Sequence, residues 1–165
     1  MQILVVSDSH GNNYDIKALI ERMGKIDMLI HLGDVGRQSE YIQNLVSCPV
    51  YMIAGNNDFG RDLPNSIEFM IGTYKIFITH GHRFHVSFGV DKLRRYAIEK
   101  GYDVVMYGHT HMPFLEIGNA VTILNPGSIS YPRQNNRQKS YMLMELDEEG
   151  MLHYSQAFLS NGSNL

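Results

Sequence analysis

The sequence predicts an α/β protein, an αββα sandwich in which two mixed β-sheets pack face to face and are flanked by helices. Three observations lead there. The first half alternates short apolar runs with amphipathic stretches, the pattern of βαβ units. The second half is built of paired apolar runs separated by short turns, the pattern of hairpins. At 165 residues the chain suits one domain over its whole length, 1–165, large enough to bury most of its apolar surface.

The elements follow in order. "QILVV" at 2–6 reads as a buried strand. Ile16, Leu19, Ile20 and Met23 then fall at helical spacing, with Asn12 or Asn13 available as cap and Gly24 as the stop. "DMLIHL" at 27–32 is a second strand, Ser39 to Val46 a second helix and "VYMIA" at 50–54 a third strand. "IEFMI" and "YKIFIT" are joined by Gly72-Thr73 as a hairpin, and a helix from Asp91 to Lys100 closes at Gly101. "DVVMY" at 103–107 is another strand. "FLEI" and "AVTIL" flank Gly118-Asn119, and "SYMLMEL" and "MLHYSQAF" flank "DEEG", giving two further hairpins.

Composition narrows the function. With 44% hydrophobic and 19% charged residues the chain is an ordinary globular protein, not a disordered one. A net charge of -3 with scattered Lys and Arg offers no basic stripe, so nucleic acid is not the expected partner. One cysteine, Cys48, excludes a disulfide framework and a Cys-rich zinc module and suits a reducing cytosol. No apolar run is long enough for a signal core or a membrane span, so the expected location is cytoplasmic, with no membrane partner. Ten methionines and ten tyrosines suit either a homo-oligomer interface or the core.

The polar residues where strands end are more informative. Asp8 and His10, Asp34, Asn56 and Asn57, His80 and His82, and His109 and His111 all follow strands, at the carboxyl side where open α/β sheets collect their ligands. In extended chain i and i+2 share a side, so Asp8 with His10, and His109 with His111, can each aim at one point. Glycines at 11, 33, 55, 81 and 108 allow close backbone approach. Taken singly, Asp34 also reads as a helix cap, Asn56-Asn57 as a turn and a strand-end histidine as a half-exposed polar residue. Five such strand ends in one chain point instead to a shared site. His31, His85 and His153 lack ligand-spaced neighbours and read as structural.

The ordered series "DSH", "GD", "GNND", "THGH" and "GHTH" resembles the calcineurin-like metallophosphoesterase superfamily, and "NPGS" at 125–128 with Pro132-Arg133 is similar to its small bacterial and archaeal phosphodiesterase branch. The resemblance implies a dinuclear site: Asp8, His10 and His111 on one metal, Asn56, His80 and His109 on the other, and Asp34 bridging. It implies in-line attack on a phosphate ester by a metal-bridging hydroxide, with no phosphoenzyme. Imidazole, carboxylate and amide donors without thiolate suit Mn first, or Ni, Fe, Co or Zn, over Ca or Mg. Two divalent ions, two carboxylates and one hydroxide leave the centre about singly positive, which attracts a small phosphate ester despite the acidic chain.

The sequence departs from the superfamily at Asn57, where many members have a histidine that can protonate the leaving oxygen. An amide donates a hydrogen bond but is no acid near neutral pH, so slow turnover of poor leaving groups is expected. His82 either supplies that proton or orients a ligand. Arg37 and Arg133 are the candidates for binding phosphate, each otherwise a surface arginine. The rival expectation is a non-catalytic scaffold resembling the small retromer subunit, a branch that departs at ligand positions.

Overall fold

The structure, a computed structural model, describes residues 1–60 and 62–159. The expected domain span 1–165 therefore runs past the described residues at 160–165, and Arg61 lies outside them too. The strands are β1 (Gln2–Val6), β2 (Met28–His31), β3 (Val50–Met52), β4 (Ser66–Ile71), β5 (Tyr74–Thr79), β6 (Val104–Met106), β7 (Pro113–Ile117), β8 (Thr122–Pro126), β9 (Ser140–Leu146) and β10 (Leu152–Phe158). The helices are α1 (Tyr14–Met23), α2 (Ser39–Gln43) and α3 (Asp91–Lys100), with two single 3₁₀ turns at His82–Phe84 and Val86–Phe88.

The strands form two five-stranded sheets, β10-β9-β1-β2-β3 and β4-β5-β6-β8-β7. Each is mixed. β1, β2 and β3 run parallel in the first, and β5, β6 and β8 in the second, with antiparallel strands outside them. Side chains alternate across each strand as the pleat requires. Ile3, Val5, Met28 and Ile30 of one sheet meet Ile76, Ile78, Val104 and Met106 of the other in a shared inner core. The alternate residues Leu4, Val6 and Leu29 receive Ile16, Leu19 and Ile20 of α1 and Ile42 of α2. Phe77, Val105 and Ile123 receive Leu93 and Ala97 of α3 on the opposite outer face. This is the expected four-layer order.

Local expectations differ in detail. Asn13 stands at the N-cap of α1 but makes no side-chain cap, because its amide donates to Gln38 Oε1 at 3.1 Å. Gly24 closes that helix with φ 73° and an N–H to Ile20. The second helix stops at Gln43 instead of Val46, since only Ile42 is buried on it and the chain turns at Leu45, whose N–H bonds to Ile42. The β7–β8 turn spans 118–121, so β8 starts later and carries Asn125 and Pro126 in the sheet.

His31 at the end of β2 is fully buried, with Nε2 3.0 Å from Ser9 Oγ. Burial lowers its pKa to about 4 despite nearby Asp8 and Asp58. Between its unfolded value near 6.5 and about 4 the unfolded chain binds a proton that the folded chain does not, so stability falls as pH drops through that window. We expect His31→Gln to flatten the fall in melting temperature between pH 7 and pH 4.5 in metal-free protein; an unaltered pH profile would refute this role.

Candidate metal centre

The carboxyl ends of β1, β2, β3, β5 and β6 lie at one edge of the sandwich, and the polar residues beyond them converge there. Five of the residues expected to bind metal leave their strands with left-handed backbone: Asp8 (φ 55°), His10 (49°), Asp34 (52°), His109 (68°) and His111 (58°). Only His85 and Arg137 join them among the described non-glycine residues. Such dihedrals cost on the order of 1–3 kcal/mol each and persist only where the surroundings impose them. Close approach does so here. A Cβ at Gly55 would collide with the Asp34 carboxylate, and one at Gly108 with the Ser7 hydroxyl.

One group gathers Asp8, His10, Asp34 and His111, whose donor atoms all lie within 4.8 Å of one another. His10 Nε2 is 3.3 Å from His111 Nε2, and His111 Nε2 is 3.1 Å from Asp8 Oδ1. His111 Nδ1 lies 2.7 Å from the Tyr131 carbonyl, which only accepts, so Nδ1 donates there and Nε2 faces inward. A second group adjoins it. Asn56 Oδ1 lies 3.2 Å from His80 Nε2 and 2.8 Å from His109 Nδ1, and His80 Nδ1 is fixed on the Leu32 carbonyl at 2.7 Å. Asp34 Oδ2 stands between the groups, 3.6 Å from His10 Nε2 and 3.6 Å from His80 Nε2.

These donors fit divalent metal ions. Bonds of about 2.0–2.2 Å place neighbouring ligand atoms roughly 2.9–3.5 Å apart, and the donor pairs given above span 2.8 to 3.6 Å. Asp8 Oδ1 is buried without a hydrogen bond, 3.1 Å from His111 Nε2 and 3.9 Å from His80 Nε2, an arrangement that a cation between them would satisfy. Both aspartates are charged to receive it. Burial opposes ionisation of Asp34, but His80 and the two Asn57 donors overcome it and hold the carboxyl below its usual range. Burial likewise opposes ionisation of Asp8, and His111, His80 and Ser7 outweigh it.

The remaining candidates are placed as follows. Asn57 turns to Asp34, its backbone N–H donating to Oδ1 at 2.8 Å and its side-chain Nδ2 to Oδ2 at 2.6 Å. The His82 ring lies 5.5 Å from that of His80 and 6.1 Å from that of His109, with no hydrogen bond to either among the described residues. Its pKa is lowered by burial and by the charges of His80 and His109. Arg133 lines a groove with His10 and His111, and its backbone N–H donates to the His111 carbonyl at 3.0 Å. Arg37 is exposed beyond the Asp34 loop and lines neither that groove nor its neighbours.

Several supporting residues went unassigned in the sequence. Buried Asp58 accepts N–H groups from Val35 (3.0 Å), Gly36 (3.0 Å) and Gly55 (2.9 Å), tying the Asp34 loop to the Asn56 loop. Asn125 donates to the Gly108 carbonyl at 2.8 Å and to Thr110 Oγ1 at 3.0 Å, bracing the segment that carries His109 and His111. Ser128 Oγ donates to the Asp8 carbonyl at 2.9 Å and accepts from Tyr131 N–H at 2.7 Å. The sequence signal for these was their place inside "GNND" and "NPGS", where a side-chain oxygen beside glycine commonly organises backbone turns.

The profile of the calcineurin-like phosphoesterase superfamily domain matches residues 1–149, and the chain belongs to that superfamily. A probable metallophosphoesterase of Bacillus subtilis, YsnB, is 31% identical over 90% of this chain and 86% of its own. A Methanocaldococcus jannaschii phosphodiesterase, MJ0936, is 32% identical over 77% of this chain and 83% of its own. Among solved structures, a conserved Streptococcus pneumoniae protein, a predicted phosphoesterase, superposes with TM-score 0.77 at 29% identity, covering 96% of this chain and 97% of that one. Wild-type Vps29 of Entamoeba histolytica complexed with zinc superposes with TM-score 0.74 at 21% identity, covering 96% and 99%, and shares the fold.

Asp58→Ala removes the carboxylate that accepts from the N–H groups of Val35, Gly36 and Gly55. It should lower stability by about 3 kcal/mol or more and weaken metal retention, as measured by thermal unfolding and by elemental analysis after desalting. Wild-type values in both would show that Asp58 does not hold the two loops.

Proposed function

We propose that this chain is a metal-dependent phosphodiesterase acting on small phosphate esters through two divalent transition ions. Asp8, His10 and His111 would hold one ion, Asn56, His80 and His109 the other, and Asp34 would serve both. The observation that carries the reading is the pair of donor groups either side of Asp34 Oδ2, each spaced like a metal shell. When bound, two such ions would supply Lewis acidity and an activated water as nucleophile near neutral pH. The donor chemistry suits manganese, nickel, iron, cobalt or zinc without choosing among them, and manganese is the ion we expect.

The chain's own groups have separate tasks. Tyr131 and Leu32 carbonyls hold Nδ1 of His111 and His80, so each ring is oriented with Nε2 toward the centre. Arg133, at the groove that opens beside His10 and His111, would bind phosphate oxygens and Arg37 would meet the outer part of a larger ester. Asn57 would keep Asp34 in place and donate one hydrogen bond toward developing charge; it has no proton to give a leaving alkoxide. His82, 5.5 Å from the His80 ring and 6.1 Å from the His109 ring, would either carry that proton or orient a ligand.

The likeness to Vps29 keeps a second reading in view, a scaffold that serves protein partners. An enzyme should hydrolyse bis(4-nitrophenyl) phosphate with Mn²⁺ or Ni²⁺, lose activity to a chelator, and lose at least about 10³-fold in kcat with Asp34→Ala. Absence of turnover with every divalent metal would favour the scaffold. Asn57→His should raise turnover of alkyl esters by about tenfold or more while changing nitrophenyl esters less, because only poor leaving groups need the acid. Equal gains on both would refute the assignment of Asn57.

A further inference from the structure

Beside the metal centre lies a cavity of about 420 Å³ whose walls the proposed chemistry does not use. Val86, Tyr107, Met112 and Phe114 line it, and Thr110 and Arg133 mark its side toward the centre. Thr110 stands between His109 and His111 in sequence, and Arg133 also lines the groove next to His10 and His111. A ligand holding its phosphoryl group at the centre therefore has this cavity within reach of its substituents.

The cavity is preformed. The segment from Gly81 to Gly89 winds through two 3₁₀ turns about His85, whose left-handed backbone (φ 58°) makes the corner between them. N–H groups of Phe84, His85, Phe88 and Gly89 bond to the carbonyls of Gly81, His82, His85 and Val86, which fixes the wall that Val86 contributes. Opposite it, Phe114 lies with its ring 6.3 Å from that of Tyr107, tilted by 54°. Polar groups here are spent: Thr110 Oγ1 accepts from Asn125 and donates to the Met112 carbonyl. That leaves Ser87 at the rim and the Arg133 guanidinium to meet a ligand. A pocket of this size with apolar walls and one cation at its mouth suits a flat apolar group attached to an anion.

We propose that this cavity is a subsite for an aromatic substituent of the phosphate ester, with Arg133 at the junction between ring and phosphoryl group. The assignment rests on the phosphoryl group binding at the metal centre. It makes the Val86–Phe88 turn and Phe114 determinants of specificity, and it favours aryl or heteroaryl esters over small alkyl ones.

The test uses phenylphosphonate and methylphosphonate, which share a headgroup and are not hydrolysed, titrated calorimetrically into manganese-loaded protein. Wild type should bind the phenyl compound about tenfold more tightly. The preference should shrink to about twofold or less in Ser87→Trp, which fills the cavity from its rim, and in Phe114→Ala, which removes a wall. Equal affinities in wild type, or an undiminished preference in both variants, would overturn the subsite. Failure of both phosphonates to bind would overturn it together with the phosphoryl centre. A phenyl preference lost in the variants, in a protein that turns over no diester, would support the subsite and count only against hydrolysis.

Discussion

Asp8 and Asp34 are two carboxylates taken out of water at one edge of the molecule, and the surrounding structure exists to balance them. Neither tolerates burial without compensation. Asp8 is met by Ser7, by the His109 N–H and by His111. Asp34 is met by both donors of Asn57 and by His80. Positive charge on histidine can balance the pair in the metal-free protein, and divalent ions can replace that charge. The same arrangement thus satisfies the fold and creates the affinity for metal.

The sandwich makes this possible through strand direction. β1, β2 and β3 in one sheet, and β5 and β6 in the other, all deliver their carboxyl ends to the same edge. The apolar alternation of those strands fills the layer between the sheets and holds the two edges in register. Loops that leave the strands must then turn sharply in little space. Left-handed backbone at five of the donor residues is the result.

Much of this was legible in the sequence because it is periodic. Alternation in "QILVV" and "YKIFIT" and the helical spacing from Ile16 to Met23 depend on few residues, and the strands and α1 were found nearly in place. That the candidate donors would cluster was legible because each follows a strand, so that topology gathers them without knowledge of any loop. The contacts among loops were not legible. Nothing local to Asp58 says that it faces the N–H groups of Val35 and Gly36, which come from a different turn, and nothing local to Asn57 says that its amide swings back to Asp34. The end of the second helix was misjudged for a related reason: whether Leu45 stays helical depends on what lies beneath it.

Donors come from both halves of the sandwich, four from the sheet of β1 to β3 and three from the sheet of β5 and β6. An ion bound between Asp8, His10 and His111, or between Asn56, His80 and His109, rivets one sheet to the other. With an ion held there, sliding of the layers and loss of the ion would become a single event, tying mechanical integrity at this edge to occupancy of the centre.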